Sequence, residues 1–179
     1  SRYFKFGSNT GDERFSDRSI EEIVRATVDL AKVKTGALIV IAKDQDLTEY
    51  EETGIRLDAD ISRQLFINIF EKNTPLHDGA VIIDGDKITA ATCYLPLSNS
   101  TSLSKDLGTR HRAGVGISEV SDSVVVIVSE ETGSISIARD GKLIRYADAA
   151  TLKNELKKVQ AKEEVKSKKK KGWRRNEVS

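Results

Sequence analysis

The sequence predicts an α/β fold, with a mixed β-sheet flanked by helices in a single globular domain. Two continuous apolar runs, at residues 37–42 and 124–128, are typical of buried central strands. Segments with helical periodicity alternate with strand-like segments along the chain. Gly85-Asp86 and Asp140-Gly141 are turn signals, each between two short strand-like segments. At 179 residues the chain is long enough to bury one core of this kind.

The expected elements follow a leader at residues 1–18, which is polar, contains glycine and is interpreted as flexible. Ser19 is predicted to cap the first helix, and Asp58 or Asp60 the second. A serine-rich loop at 97–107 is expected to form a mobile rim before the next helix. The other predicted elements are strands at 37–42, 80–84, 87–95, 124–128, 134–139 and 142–146, a polar loop at 44–54, and helices from 109 and at 147–160.

The composition is that of a soluble protein in a reducing compartment. Charged residues make up 32% of the chain, and no apolar run approaches the roughly 18 residues of a membrane span. The single cysteine, Cys93, excludes an intramolecular disulfide, and no Cys/His pattern indicates structural zinc. The chain has no methionine, so we expect a processed product or a fragment that lacks its N-terminal part.

A polybasic tail is predicted at residues 161–179, which hold six lysines and two arginines against three glutamates. A solvated, disordered tail is one interpretation. Contact with anionic lipid is another, because each basic residue near a charged leaflet contributes about 1 kcal/mol. Nucleic-acid binding is a third, but no basic face or stacking array in the rest of the sequence supports it, so no nucleic-acid partner is expected.

The segment Gly108-Thr109-Arg110-His111-Arg112 predicts a phosphate site at a helix N-terminus. Thr109 is a favourable N-cap, and the first turn of a helix offers unpaired N–H groups. Cations in that turn oppose the helix dipole, and a bound anion would remove the conflict. The alternative is an exposed basic turn with surface partners.

The segment His77-Asp78-Gly79-Ala80 precedes a short apolar strand and forms a second candidate motif. Asp78 can bind a divalent cation or accept a proton from a hydroxyl, and His77 beside it is a candidate metal ligand. Gly79 and Ala80 leave room for a ligand near the backbone. The alternatives are an ordinary Asp-Gly turn and a structural histidine.

Together, Asp-Gly-Ala followed 32 residues later by Arg-His-Arg resembles the diadenylate cyclase (DAC) domain. The likeness runs from about residue 19 to residue 147, and residues 19–160 are expected to form the catalytic domain. The flanking segments at 68–70, 94–97 and 128–133 are similar to the membrane-anchored CdaA-type branch of Gram-positive bacteria.

The resemblance implies a nucleotidyltransferase that condenses two ATP molecules into 3′,5′-linked cyclic di-AMP and releases two pyrophosphates. It implies one ATP per protomer, two facing protomers in a homodimer, and Mn²⁺ or Mg²⁺ as the metal, with Co²⁺ as a further candidate. Asp78 would take the hydroxyl proton, and residues 108–112 would hold the phosphates. The implied metal ligands are His77 and Glu131, and the implied adenine contacts are Gly36, Ala37, Tyr94 and Leu95.

Several alternatives stay open at this stage. A nucleotide-binding sensor without chemistry would also need a phosphate clamp, although it has no need of Asp78 beside it. Glu131 can be a loop charge, and Tyr94 can be a core residue. The family branch implies a location at the cytoplasmic face of the cell membrane through upstream helices, with this fragment itself soluble.

Overall fold

A single mixed sheet forms the centre of the computed structural model, which describes residues 12–163. Within that range the strands are β1 Ala37–Ile41, β2 Ile55–Asp60, β3 Ala80–Asp84, β4 Lys87–Cys93, β5 Val124–Val128, β6 Ile135–Arg139 and β7 Lys142–Ile144. The helices are α1 Asp17–Lys32, α2 Thr48–Glu51, α3 Arg63–Phe70, α4 Thr109–Val120 and α5 Ala149–Gln160. The α/β class and the mixed sheet are confirmed.

The seven strands run in the order β2-β4-β3-β1-β5-β6-β7. β1 pairs with β3 in parallel and with β5 antiparallel, and every residue of β1 and β5 is buried. The two apolar runs are therefore the central strands, as predicted. Both faces of these strands are covered, which is why their sequences do not alternate.

Alternate side chains of the central strands enter two separate cores. Ile39 and Ile41 of β1 pack with helices α1, α3 and α5 on one face of the sheet. Leu38 and Val40 pack with α4 on the opposite face. Helix α4 is the main helical cover of that second face, and this position fixes the direction in which its N-terminus points.

The first helix begins earlier than predicted. Ser16 is the N-cap, and its hydroxyl oxygen accepts from the N–H of Ser19 at 3.2 Å. The hydroxyl of Ser19 instead donates to Asp86 at 2.6 Å. Phe15 is only 3% exposed and belongs to the first core. The folded domain therefore includes residues 12–18, which the sequence assigned to the flexible leader.

The predicted cap of the second long helix is also wrong. Asp58 and Asp60 lie in the edge strand β2, and Ser62 caps α3 by accepting from the N–H of Leu65 at 3.2 Å. The charged, mostly exposed residues of β2 resembled a loop because an edge strand buries little and uses charges against further pairing. The short helix α2 was likewise missed within the predicted polar loop.

Other boundaries differ by a few residues. β4 ends at Cys93 rather than at residue 95, β7 ends at Ile144, and α5 starts at Ala149 with Asp148 as its cap. The loop at 97–107 contains no helix or strand, as predicted. Residues 1–11 and the polybasic run after residue 163 lie outside the described residues. Among the helices of residues 12–163, none combines the length and the apolarity that crossing a membrane requires.

Two glycines in α4 fix how the helix packs. A side chain at Gly116 would overlap the carbonyl oxygen of Pro96, at the start of the loop that borders the helix. A Cβ at Gly114 would come within 2.8 Å of the terminal Cδ1 of Ile127, which is a movable atom. The close approach of a backbone segment therefore requires glycine at 116 more strictly than at 114.

We expect Gly116→Ala to lower the free energy of unfolding by roughly 1–3 kcal/mol, the usual cost of overpacking. Gly114→Ala is the matched control, because its clash is with a flexible side-chain end and alanine adds about 1 kcal/mol of helix propensity. Urea unfolding of both variants measures the difference. Equal effects of the two substitutions would contradict the packing described for Gly116.

Candidate functional site

Both predicted motifs face one cavity of about 780 Å³. This volume lies within the range of roughly 300–1,000 Å³ that is usual for small-molecule sites. The cavity is bordered by the turn before β3, the end of β4, the loop before α4 and the turn after β5. The predicted residues that line it are Gly36, His77, Asp78, Gly79, Tyr94, Leu95, Gly108, Thr109, Arg110, His111 and Glu131.

Three predicted site residues do not line the cavity. Ala37 and Ala80 are the first residues of β1 and β3 and are fully buried in the two cores. Arg112 is absent from the cavity wall, although Arg110 and His111 are part of it. Residues two apart on a helix do not share a face, and this separates the two arginines of the Arg-His-Arg motif.

The N-terminus of α4 presents free donors to the cavity. Its N-cap is Gly108 rather than the predicted Thr109, and no side chain within residues 12–163 caps it. The N–H of Arg112 is the first to bond within the helix, to the carbonyl oxygen of Gly108 at 3.2 Å. The N–H groups of residues 109–111 have no acceptor among the described residues. These donors and the positive end of the helix dipole suit an anion.

An ion pair with Glu130 holds the Arg110 guanidinium in the cavity wall. Its Nη1 lies 3.3 Å from a carboxylate oxygen of Glu130, and any side chain at Gly36 would collide with it. Gly36 therefore gives space to the guanidinium, a role that the sequence did not predict. The side chain of Arg110 is 23% exposed and that of Glu130 is 55% exposed, so the carboxylate is the partner that is more accessible to solvent.

His77 and Asp78 form a compact pair on the other side of the cavity. His77 Nδ1 lies 2.7 Å from the carbonyl oxygen of Thr74, and a carbonyl can only accept, so Nδ1 carries a proton. His77 Nε2 lies 3.3 Å from Asp78 Oδ1. A backbone carbonyl that fixes one ring nitrogen in this way is typical of metal-binding histidines, so the pair fits a cation between Nε2 and the carboxylate.

A strained bulge orients Asp78. Gly79 has φ of +79°, and a Cβ there would lie 2.9 Å from the carbonyl oxygen of Cys93. Thr92, on the facing strand, has φ of +52°, which is uncommon for a β-branched residue. The register between β3 and β4 shifts at this point. Strain of this kind persists where the surrounding structure holds a functional geometry.

The cavity also has an apolar wall suited to a flat aromatic base, formed by Leu38, Phe70, Cys93, Leu95, Leu97 and Val128. Burial raises the pKa of Cys93 to about 11, so this residue stays a thiol and contributes packing only. Tyr94 is 73% exposed at the rim, so it is not a core residue. Its N–H donates to Thr53 Oγ1 at 2.8 Å.

Glu131 lies in the cavity wall in the same turn as Glu130. Among residues 12–163, however, no three His, Cys, Asp or Glu side chains converge into a ready-made metal centre. His77 and Asp78 supply two ligands at most, and a cation there would need further oxygens. Phosphate groups of a substrate commonly complete such a shell for Mg²⁺.

Sequence reasoning missed four charged residues of the wall: Lys72, Asp106, Glu130 and Arg145. Glu130 lies beside the predicted Glu131, and this adjacency is the one feature of the sequence that could have identified it as a cavity residue. Asp106 lies in the loop before α4, and Arg145 follows β7, so neither belongs to a recognisable motif. Only the tertiary arrangement brings these residues to the cavity.

The buried His111 has its pKa lowered, first by burial and then by the charge of Arg145. An unfolded histidine takes up a proton near pH 6.5, whereas folded His111 does so only at lower pH. Because the unfolded state then binds more protons, the titration of His111 has no effect on the free energy of unfolding well above pH 6.5 and lowers it as the pH drops towards the folded pKa.

We expect the free energy of unfolding to be smaller at about pH 5.5 than at about pH 7.5, a window set by the usual histidine pKa. His111→Gln should reduce this difference, because it removes the titrating group. Urea unfolding at both pH values is the measurement. His77→Gln is the control, since it removes the chain's other histidine and should leave the contribution of His111 in place. An unchanged pH difference in His111→Gln would contradict this assignment.

Comparison with known proteins agrees with this geometry. The family model described as DisA bacterial checkpoint controller nucleotide-binding (DAC) matches residues 24–143. A diadenylate cyclase from Listeria monocytogenes is 52% identical over 163 residues, which cover 91% of this chain and 58% of the relative. The cyclic di-AMP synthase CdaA from Bacillus subtilis is 53% identical over 149 residues, which cover 83% of this chain and 55% of the relative. The chain thus spans a little over half the length of these relatives.

Solved structures show the same likeness. A double mutant of DacA from Staphylococcus aureus is 52% identical, with a TM-score of 0.79 over 80% of this chain and 95% of that chain. A hypothetical membrane spanning protein from Bacillus cereus is 42% identical, with a TM-score of 0.70 over 73% of this chain and 64% of that chain. The matched span contains both motifs of the cavity, and the chain belongs to the DAC nucleotide-binding family.

Proposed function

We propose that this chain is a diadenylate cyclase that condenses two ATP molecules into 3′,5′-linked cyclic di-AMP and two pyrophosphates. The observation that carries the proposal is the single cavity in which Asp78 is combined with the free N–H groups of α4 and with Arg110. An acid–base group and a phosphate clamp in one cavity are what nucleotidyl transfer requires. The names of the relatives from Listeria and Bacillus support the same reaction.

In the proposed reaction, the backbone N–H groups of residues 109–111 and the Arg110 guanidinium bind the phosphates. The apolar wall and Tyr94 receive the adenine. Asp78 accepts the proton from the 3′-hydroxyl of the facing nucleotide. The O3′–Pα bond forms while the bond from Pα to the bridging oxygen breaks, and pyrophosphate leaves. A second transfer of the same kind closes the ring.

We propose Mn²⁺ or Mg²⁺ as the cofactor, with Co²⁺ as a further candidate. His77 Nε2 and Asp78 Oδ1, 3.3 Å apart, would hold it, and Glu131 is a further candidate from the same wall. Such an ion supplies charge neutralisation at the phosphates and favours the ionised hydroxyl. The Asp78 carboxylate itself accepts the hydroxyl proton.

The reaction requires two copies of the chain, because the sequence has one Asp-Gly-Ala and one Arg-His-Arg motif. Two nucleotides must therefore be brought together by two protomers whose cavities face each other, in an isologous contact. We also propose that the complete protein works at the cytoplasmic face of the membrane. The similarity to the hypothetical membrane spanning protein from Bacillus cereus supports that location.

The test of the function is incubation with ATP and Mn²⁺, followed by chromatography against synthetic 3′,5′-cyclic di-AMP. Formation of cyclic di-AMP with two equivalents of pyrophosphate supports the cyclase. The alternative, a nucleotide-binding sensor, would bind ATP and return it unchanged. The carboxylate beside the clamp argues against the sensor, since binding alone has no need of a group that accepts a proton.

Asp78→Asn should lower the rate of product formation by at least about 100-fold, the usual effect of removing a general base. Binding of ATP should persist, because the amide keeps the shape of the carboxylate. Asp84→Asn is the matched control, as Asp84 is exposed at the end of β3 and does not line the cavity. A near wild-type rate for Asp78→Asn would remove Asp78 from the mechanism.

Specific activity should rise with enzyme concentration until the active dimer saturates, because a single protomer holds half of the reacting atoms. Activity is measured over a dilution series, with light scattering under the same conditions. A protein that stays monomeric while its specific activity is independent of concentration would rule out the facing-protomer mechanism.

A further inference from the structure

Arg145 is a cavity residue for which the mechanism above has no role. It lies in the connection between β7 and α5, two residues beyond the end of the family match at 143. It lines the same cavity as Arg110, whereas Arg112 of the Arg-His-Arg motif does not. Among residues 12–163, the cavity wall therefore contains two guanidinium groups, and the second comes from a different part of the chain.

The two arginines are paired in the same way. Arg110 Nη1 lies 3.3 Å from Glu130, and Arg145 Nη2 lies 3.4 Å from Asp106. In both pairs the arginine is the more buried partner, at 23% and 31% exposure against 55% and 65% for the carboxylates. Each carboxylate can thus turn to solvent while its arginine stays in the wall.

Arg145 keeps most of its donors available. A guanidinium has five N–H groups, and among the described residues the one hydrogen bond of this side chain goes to Asp106. Its carbon Cζ lies 5.0 Å from the centre of the Tyr146 ring, a cation–π contact that supports the guanidinium from one side. Tyr146 has φ of +58°, uncommon for an aromatic residue, and this backbone turn sets the direction of the pair.

The positive charges of Arg145 and Arg110 both act on His111, in the first turn of α4. Both charges lower the pKa of His111, after the larger effect of burial, and the charge of Asp106 opposes them. The first turn of α4 therefore lies in the field of two guanidinium groups. A phosphate chain is the part of a nucleotide that complements such a field.

We propose that Arg145 binds the β- and γ-phosphates of the nucleotide, and hence the pyrophosphate that leaves, with Asp106 as its exchangeable counterion. This assignment rests on the proposed nucleotide substrate. The β- and γ-phosphates carry most of the negative charge of ATP. The α-phosphate must instead lie close to the 3′-hydroxyl from which Asp78 takes the proton. Arg145 is thus a binding residue from outside the two motifs.

The test compares the binding of α,β-methylene-ATP with that of AMP by calorimetry. The methylene bridge replaces the bond that would break, so no reaction disturbs the titration. In Arg145→Ala, we expect the Kd of the analogue to rise at least about tenfold, as for loss of a charge-assisted contact. The Kd of AMP should change less than about threefold, because AMP lacks the distal phosphates.

Two further variants separate this role from general electrostatics and from misfolding. Arg25→Ala removes the same charge from an exposed position on α1 outside the cavity and should leave both affinities unchanged. Arg145→Lys keeps the positive charge but loses the planar guanidinium group. Its Kd for the analogue should therefore lie between that of the wild type and that of Arg145→Ala. Asp106→Asn should bind the analogue as tightly as the wild type or more tightly, since the competing carboxylate is gone.

An analogue-to-AMP affinity ratio that is unchanged in both Arg145→Ala and Arg145→Lys would overturn the proposal. A larger change of that ratio in Arg112→Ala than in Arg145→Ala would also overturn it, and would return the role to the Arg-His-Arg motif. Product analysis of the wild type keeps the two proposals apart. If the wild type makes no cyclic di-AMP but Arg145→Ala shifts the ratio, the cyclase assignment fails and the phosphate assignment stands.

Discussion

The packing of α4 against the second face of the sheet is the constraint on which the cavity depends. Gly114 and Gly116 bring the helix close to Ile127 and to the backbone at Pro96. That contact fixes the helix axis and directs its unpaired N–H groups at the cavity. Without a fixed axis, neither the helix dipole nor the Arg110 guanidinium would have a defined position relative to Asp78. The weak helix propensity of a sequence with two glycines is thus offset by a close approach that larger residues prevent.

The opposite wall depends on a backbone distortion instead of a helix. Gly79 and Thr92 both have positive φ, at the point where the register between β3 and β4 shifts. The bulge places Asp78 with its side chain 83% exposed, next to a histidine whose Nδ1 is fixed by a backbone carbonyl. An exposed carboxylate beside an oriented imidazole is available to a cation or a substrate, whereas a regular hairpin would direct this segment elsewhere.

Weak charge compensation keeps the two cavity arginines available to an anion. Each cavity arginine is partly buried and has one exposed carboxylate as its partner, so its charge is compensated only weakly. Exposed ion pairs contribute little to stability, typically about 0–1 kcal/mol, so exchanging these carboxylates for phosphate oxygens costs the fold little. The buried His111 has a lowered pKa and therefore stays neutral at neutral pH, which avoids a further positive charge at the first turn of α4.

The sequence alone determined the α/β class, the two central strands, the hairpin and the two polar motifs, because hydrophobic periodicity and turn residues are local signals. It did not locate β2, whose exposed charges resemble a loop, or the caps Ser16 and Ser62. Only the tertiary structure decided which motif residues reach the cavity. Arg112 is absent from the wall that contains Arg110, whereas Glu130 and Arg145 line that wall although they come from distant segments of the chain. Such long-range neighbours follow from the packing of whole elements on the sheet, and no local pattern in the sequence encodes that packing.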